Sequence, residues 1–194
     1  EIGSGLVGSE MCIRDRIGAE AQHDNMQSAA YRVIWGFLRK CPASKVRFCI
    51  FDPKEGGGSV RMLSNFVNKM PDSYKRAVTQ MSRTEELLSC LKELEGQTLD
   101  FIRDRPDYDD LLDYNAHNPR RTEAITLLML YDFPLNADAR CLELLSSVMQ
   151  KGNRCGIYVV LCRNTAVEVA SSYDHIDEKL AELEKNCVQI ECKE

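Results

Sequence analysis

Two short runs constrain this chain more than anything else in it. Residues 124–131 read AITLLMLY and residues 156–162 read GIYVVLC. Neither alternates apolar with polar residues. Both fall well short of the roughly 20 apolar residues that a membrane-spanning helix needs. Runs of this length, closed by Asp-Phe-Pro in one case and Arg-Asn in the other, are predicted as strands buried on both faces. Such strands belong to parallel sheets, and parallel neighbours must be joined by crossovers that are usually helical.

The remaining chain supplies those helices. Asp24 or Asn25 is placed to cap a helix. Met26, Ala29, Ala30, Val33, Ile34, Phe37, Leu38 and Cys41 then recur at three- and four-residue spacing, until Pro42 ends the run. KVRFCIF, residues 45–51, is predicted as a buried strand, followed by a loop, DPKEGGGS, and a short helix over VRMLSNFV. DSYKRAV has no decisive pattern. Residues 83–104 are predicted as a long helix with Leu87, Leu88, Leu91, Leu94 and Ile102 on one face and Gly96 weakening its middle. DYDDLLDYNAH is predicted as a short helix. Another helix turns Cys141, Leu144, Leu145, Val148 and Met149 inward, and DHIDEKLAELEKN forms the last helix before a last strand, CVQIEC. Strands alternating with helices in this order predict an α/β fold, a mostly parallel sheet covered by helices on both faces.

Composition narrows the function. The chain has 194 residues, 44% hydrophobic and 28% charged, the make-up of one globular domain. Its net charge of −5 excludes a domain-wide basic footprint for nucleic acid, while leaving a local patch open. Nine cysteines occur without a C-x-x-C pair and with three scattered histidines. They are expected to be reduced thiols of a cytoplasmic protein, with no metal site and no direct membrane contact. The stretch GLVGSEMCIRDR, residues 5–16, lacks the apolar core of a signal peptide. It resembles the conceptual translation of a transposase-type sequencing-library adapter. Residues 1–16 are therefore expected to be an adapter-derived, disordered tail, and residues 17–194 a single module from a larger protein.

In a parallel sheet, ligands bind outside the carboxyl ends of the strands. Three loops qualify: Asp52-Pro53-Lys54, Asp132-Phe133-Pro134 and Arg163-Asn164. KEGGGS could gather backbone amides around a phosphate, but it lacks the G-x-x-x-x-G-K-[ST] pattern, and a plain flexible loop is the favoured reading.

VRFCIFDPK, DYNAHNP, ITLLMLYDFP and KGNRCGIYVVLC, in this order and spacing, resemble an FtsK/SpoIIIE-type motor module over residues 25–165. The resemblance implies a RecA-like P-loop fold, with ATP and magnesium as the family's cofactors. It also implies the family's work of moving DNA or acting on secreted proteins. Asp132 then falls at the Walker B position, Asp52 and Lys54 in the DPK loop, and Arg163 and Asn164 at the sensor position. Three departures argue against catalysis by this module. The segment before the first helix, IGAEAQHD, has no lysine, one glycine, and the acids Glu20 and Asp24 where a triphosphate would sit. Phe133 stands where many such motors carry a water-activating glutamate, and phenylalanine accepts no proton. Arg163-Asn164 replaces the usual threonine and glutamine. The resemblance thus implies a degenerate module that binds no cofactor and stacks against neighbouring motor modules, in a ring if the parent forms one. Its contact with DNA or a secreted protein runs through that parent. Arg154 is a candidate trans-acting arginine, with Arg120, Arg121 and Arg163 as rivals. Two other readings stay open: an active ATP-dependent DNA translocase whose P-loop was lost by truncation, and an unrelated doubly wound binding domain.

Overall fold

The computed structural model describes residues 20–53, 68–69, 72–163 and 176–185. The tail 1–16, the KEGGGS loop with Lys54, the VRMLSNFV helix, Asn164 and the CVQIEC strand lie outside the described residues.

The four described strands are β1 (Val46–Phe51), β2 (Val78–Met81), β3 (Ile125–Phe133) and β4 (Ile157–Arg163). They form one sheet in the order β2-β1-β3-β4, and each adjacent pair is parallel. The helices are α1 (Glu20–Lys40), α2 (Asp72–Lys75), α3 (Thr84–Asp104), α4 (Leu111–His117), α5 (Ala139–Lys151) and α6 (Ile176–Lys185). β2 is new relative to the sequence reading. DSYKRAV splits into the one-turn α2 and the start of a short edge strand, only one of whose four residues, Met81, is buried.

The two central strands are buried on both faces, as their sequences require, and the alternation of their side chains divides the core in two. On one face, Phe48, Ile50, Leu127, Met129, Tyr131, Val160 and Cys162 pack against Ala30 and Ile34 of α1. On the other, Cys49, Phe51, Leu128, Leu130, Val159 and Leu161 pack against α3, α5 and α6 through Leu87, Leu91, Leu94, Leu142, Leu145, Leu180 and Leu183. Burying each such leucine is worth about 1.5–3 kcal/mol, so both helical layers are held mainly by apolar burial.

α5 starts at Asp138, whose carboxylate accepts from the Cys141 amide at 2.7 Å, and α4 starts at Asp110, which accepts from the Asp113 amide at 2.8 Å. At the entry to β4, Gly156 adopts φ +69°, and a Cβ there would overlap Leu111 Cδ2. Glycine is required at this position both by its left-handed backbone and by the approach of α4.

Candidate functional site at the carboxyl edge of the sheet

Because all four strands run the same way, Phe51, Met81, Phe133 and Arg163 end on one edge. Asp52 leaves β1 there, with its amide bonded to the Met81 carbonyl at 2.9 Å, and it is only 4% exposed. Asp132 sits on the neighbouring strand, β3, and is 0% exposed. Three of the loops singled out in the sequence therefore share one edge through Asp52, Asp132 and Arg163.

β3 does not reach that edge as a regular strand. Its register with β4 shifts between Leu130 and Phe133, and Asp132 takes φ 48°. Aspartate is one of the few residues other than glycine that tolerates this left-handed conformation. The bulge has a direct consequence. Simple alternation would aim residue 132 into the apolar layer beneath α3 and α5. With one residue inserted, Phe133 takes that place, 1% exposed within that cluster, and Asp132 is re-aimed, which is the general effect of a bulge. The Asp132 carbonyl accepts from the Leu135 amide at 2.9 Å, turning the chain back toward α5.

Arg163 closes the edge on the β4 side. Its Nη1 donates to the Phe133 carbonyl at 3.3 Å, so a half-buried guanidinium ties the end of β4 to the residue after Asp132. On the β2 side, Thr84 Oγ1 donates to the Asn136 carbonyl at 2.8 Å and joins the start of α3 to the loop after β3. Glu86 accepts from the Ser82 amide at 3.0 Å, from the Arg83 guanidinium at 2.7 Å and from the Arg83 amide at 3.2 Å. The Ser82 amide foremost, then Arg83, bring its carboxyl down to about 2.

Sequence reasoning missed Tyr131. Its hydroxyl is fully buried and has no hydrogen-bond partner among the described residues. Burial pushes its ionisation well up, and Cys162, Tyr31 and Asp52 push in the same direction. A tyrosine one residue before the strand-end aspartate was a visible signal, but AITLLMLY reads as uniform apolar filling.

α1 departs from expectation at its start. The connection from α1 to β1 is short, so α1 runs back along the sheet and its first turn lies toward the carboxyl edge. It begins at Glu20, not at an Asp24 or Asn25 cap. Asp24 is inside the helix, with Glu20, Ala21 and Gln22 supplying good helix formers ahead of it. Arg154 lies at the opposite edge, before β4. There its Nε donates to the Asp109 carbonyl at 2.9 Å and its Nη2 to the Tyr108 carbonyl at 3.3 Å. Arg120 and Arg121, exposed ahead of β3, also belong to that opposite edge.

No group of three or more metal-ligating side chains occurs among the described residues. No described helix is long and apolar enough to cross a membrane.

The fold, a parallel four-stranded sheet flanked by helices, matches that of RecA-like P-loop ATPase domains. Three solved structures carry the likeness. The conjugation coupling protein TcpA of pCW3, in a monomer form with ATPγS, matches at TM-score 0.67 and 12% identity over 97% of this chain and 50% of its own. The cytoplasmic domain of the Thermomonospora curvata type VII secretion ATPase EccC matches at TM-score 0.64 and 14% identity over 95% of this chain and 20% of its own. The cytoplasmic domain of EssC matches at TM-score 0.63 and 11% identity, over 97% of this chain and 34% of its own. The chain thus spans half or less of each. These neighbours are FtsK/SpoIIIE-type ATPase domains, in agreement with the resemblance at the level of fold. No family model matches the sequence, and no curated protein matches it.

Proposed function

We propose that this chain is a non-hydrolysing module of an FtsK/SpoIIIE-like motor and serves by packing against neighbouring modules. The observation that carries the reading is the placement of Phe133. In an active module the residue after the strand-end aspartate is often the group that takes a proton from water. Here that residue is an aromatic ring committed to the apolar layer under α3 and α5. The bulge at Asp132 puts it there, so the backbone as well as the side chain is arranged for packing. Two further features support the reading. The sequence ahead of and within the first turn of α1 offers carboxylates rather than a glycine-rich, lysine-bearing cradle for phosphates. Arg163 spends a hydrogen bond on the Phe133 carbonyl, which suits a strand-end tie better than a phosphate sensor.

Under this proposal the module takes neither ATP nor magnesium. Asp52 and Asp132 are what remains of the family's site, and contact with DNA or a secreted protein is made by other parts of the motor. Arg154 would act in trans only by giving up its carbonyl contacts with Tyr108 and Asp109. The test is phosphate release with ATP and magnesium, with Asp132→Ala as the blank. The two proteins are expected to be indistinguishable. Release by the unaltered chain clearly above that blank would contradict the proposal.

A further inference from the structure

Cys49 and Cys90 lie far apart in the sequence, one on β1 and one on α3, yet their thiols are near enough to influence each other directly. Both line the same open cleft, about 600 Å3, between the β2 edge of the sheet and α3, along with Arg47, Arg76, Ser89 and Glu93. Cys49 is buried at its floor, 4% exposed, and Cys90 is half-buried on its wall. Of the six described cysteines, Cys141, Cys155 and Cys162 are buried elsewhere in the core and Cys41 sits at the far end of α1. The Cys49–Cys90 pair therefore differs from its companions in having a thiol neighbour and an opening to solvent at the same place.

We propose that Cys49 and Cys90 form a paired-thiol modification site that low-molecular-weight disulfides convert to an intramolecular disulfide. Thiols act as nucleophiles in the ionised form, and access decides which sulfur attacks first. Cys90, facing the cleft, gives its proton to solvent and attacks, as the thiolate, one sulfur of the incoming disulfide, RSSR. This forms a Cys90–S–S–R bond and releases RS−. Cys49 then gives its proton to solvent and attacks the Cys90 sulfur, forming Cys49–Cys90 and expelling the second RS−. The two cysteines lose two electrons, RSSR gains them, and the two protons return from solvent to the two released RS−, giving RSH. The resulting bond needs an S–S distance of about 2.05 Å, and the shared cleft places the two thiols on facing elements of the same core layer. The two thiols differ in readiness: the interaction with Cys90, and then the Arg47 guanidinium, hold the Cys49 thiol below the usual range against the effect of burial, while Cys90 is held above it. Access selects Cys90 for the first attack, which is therefore the slower step.

The test treats the folded chain with glutathione disulfide, without denaturant, and reads intact mass and tryptic peptides. The expected product is two mass units lighter, with Phe48–Lys54 joined to Thr84–Lys92 by a bond that dithiothreitol removes. Cys90→Ser is expected to leave Cys49 a free thiol under the same treatment. The proposal is overturned if Cys90 keeps a stable glutathione adduct while Cys49 remains reduced. It is equally overturned if Cys49 pairs with any other cysteine, or if neither reacts. The peptide map of the unaltered chain decides the matter even if the serine variant does not fold.

Discussion

The two edges of the sheet are built for different ends. At the amino edge, side chains lock elements together. Arg105, at the end of α3, makes a two-pronged ion pair with Glu123 just before β3. The same guanidinium lies 5.0 Å from the Phe101 ring centre and 4.4 Å from that of Tyr114. Asn115 mimics a strand neighbour, donating to the Glu123 carbonyl at 3.0 Å and accepting from its amide at 2.8 Å. Lys45 Nζ reaches the Thr122 carbonyl at 3.0 Å, and Arg154 holds the carbonyls of residues 108 and 109. At the carboxyl edge, two buried carboxylates, a left-handed aspartate and a tyrosine hydroxyl unmatched among the described residues sit where ligands bind in this class of fold. The difference teaches that in this sheet the ion pair, ring contacts and paired amide gather at the end away from the mouth. The mouth retains costly polar groups even where, under our proposal, the chemistry that would justify them has lapsed.

Substitutions can break this contrast, and their expected effects fall in size from one edge to the other. Gly156→Ala has the largest expected effect. It forces a side chain into a left-handed backbone and into Leu111, and is expected to cost about 3 kcal/mol or more in urea unfolding. Arg105→Met, which keeps the apolar stem but removes the ion pair and both ring contacts, is expected to cost about 2 kcal/mol. Asn115→Ala is expected to cost about 1.5 kcal/mol through two lost backbone partners. Both of these residues act on Glu123, so the double variant should fall short of the sum, and a double-mutant cycle would read the coupling. At the other edge, Arg163→Met removes the hydrogen bond to the Phe133 carbonyl and is expected to cost about 1 kcal/mol. If Arg163→Met proved costlier than Arg105→Met, the contrast between the edges would be lost.

The smallest expected effect is a pH dependence. The Glu86 carboxyl is held at about 2, below its ordinary value of 4.5, chiefly by the Ser82 amide and then by Arg83. A lowered carboxylate contributes stability that is fully present above the unfolded value and is lost as pH falls through the folded one. Unfolding midpoints measured between pH 5 and pH 2 should therefore fall less steeply for Glu86→Gln than for the unaltered chain. The gap should be modest, because this carboxylate is exposed to solvent and its interactions are screened.

Much of this fold was legible in the sequence because β1, β3 and β4 are buried on both faces and cannot hide their composition. β3 and β4 begin within a residue of where AITLLMLY and GIYVVLC place them, and α3 begins one residue after its predicted start. β2 was illegible for the opposite reason. An edge strand with a single buried residue carries no strong pattern. The start of α1 was misplaced because Asp24 looks like a cap, and only the backbone reveals that the helix runs through it. At the site, Asp52, Asp132 and Arg163 could be named from their positions after apolar runs. The bulge that re-aims Asp132 and seats Phe133 in the core depends on strand register, which no local string encodes. The pairing of Cys49 with Cys90 depends on which helix covers which strand, and the carbonyl contacts of Arg154 depend on the path of the segment before α4.

The most direct test of the central claim is a calorimetric titration of the chain with ATP in the presence of magnesium. The account predicts no saturable heat up to millimolar nucleotide, and the same flat trace for Asp132→Ala. Micromolar binding that requires magnesium and disappears in Asp132→Ala would contradict it.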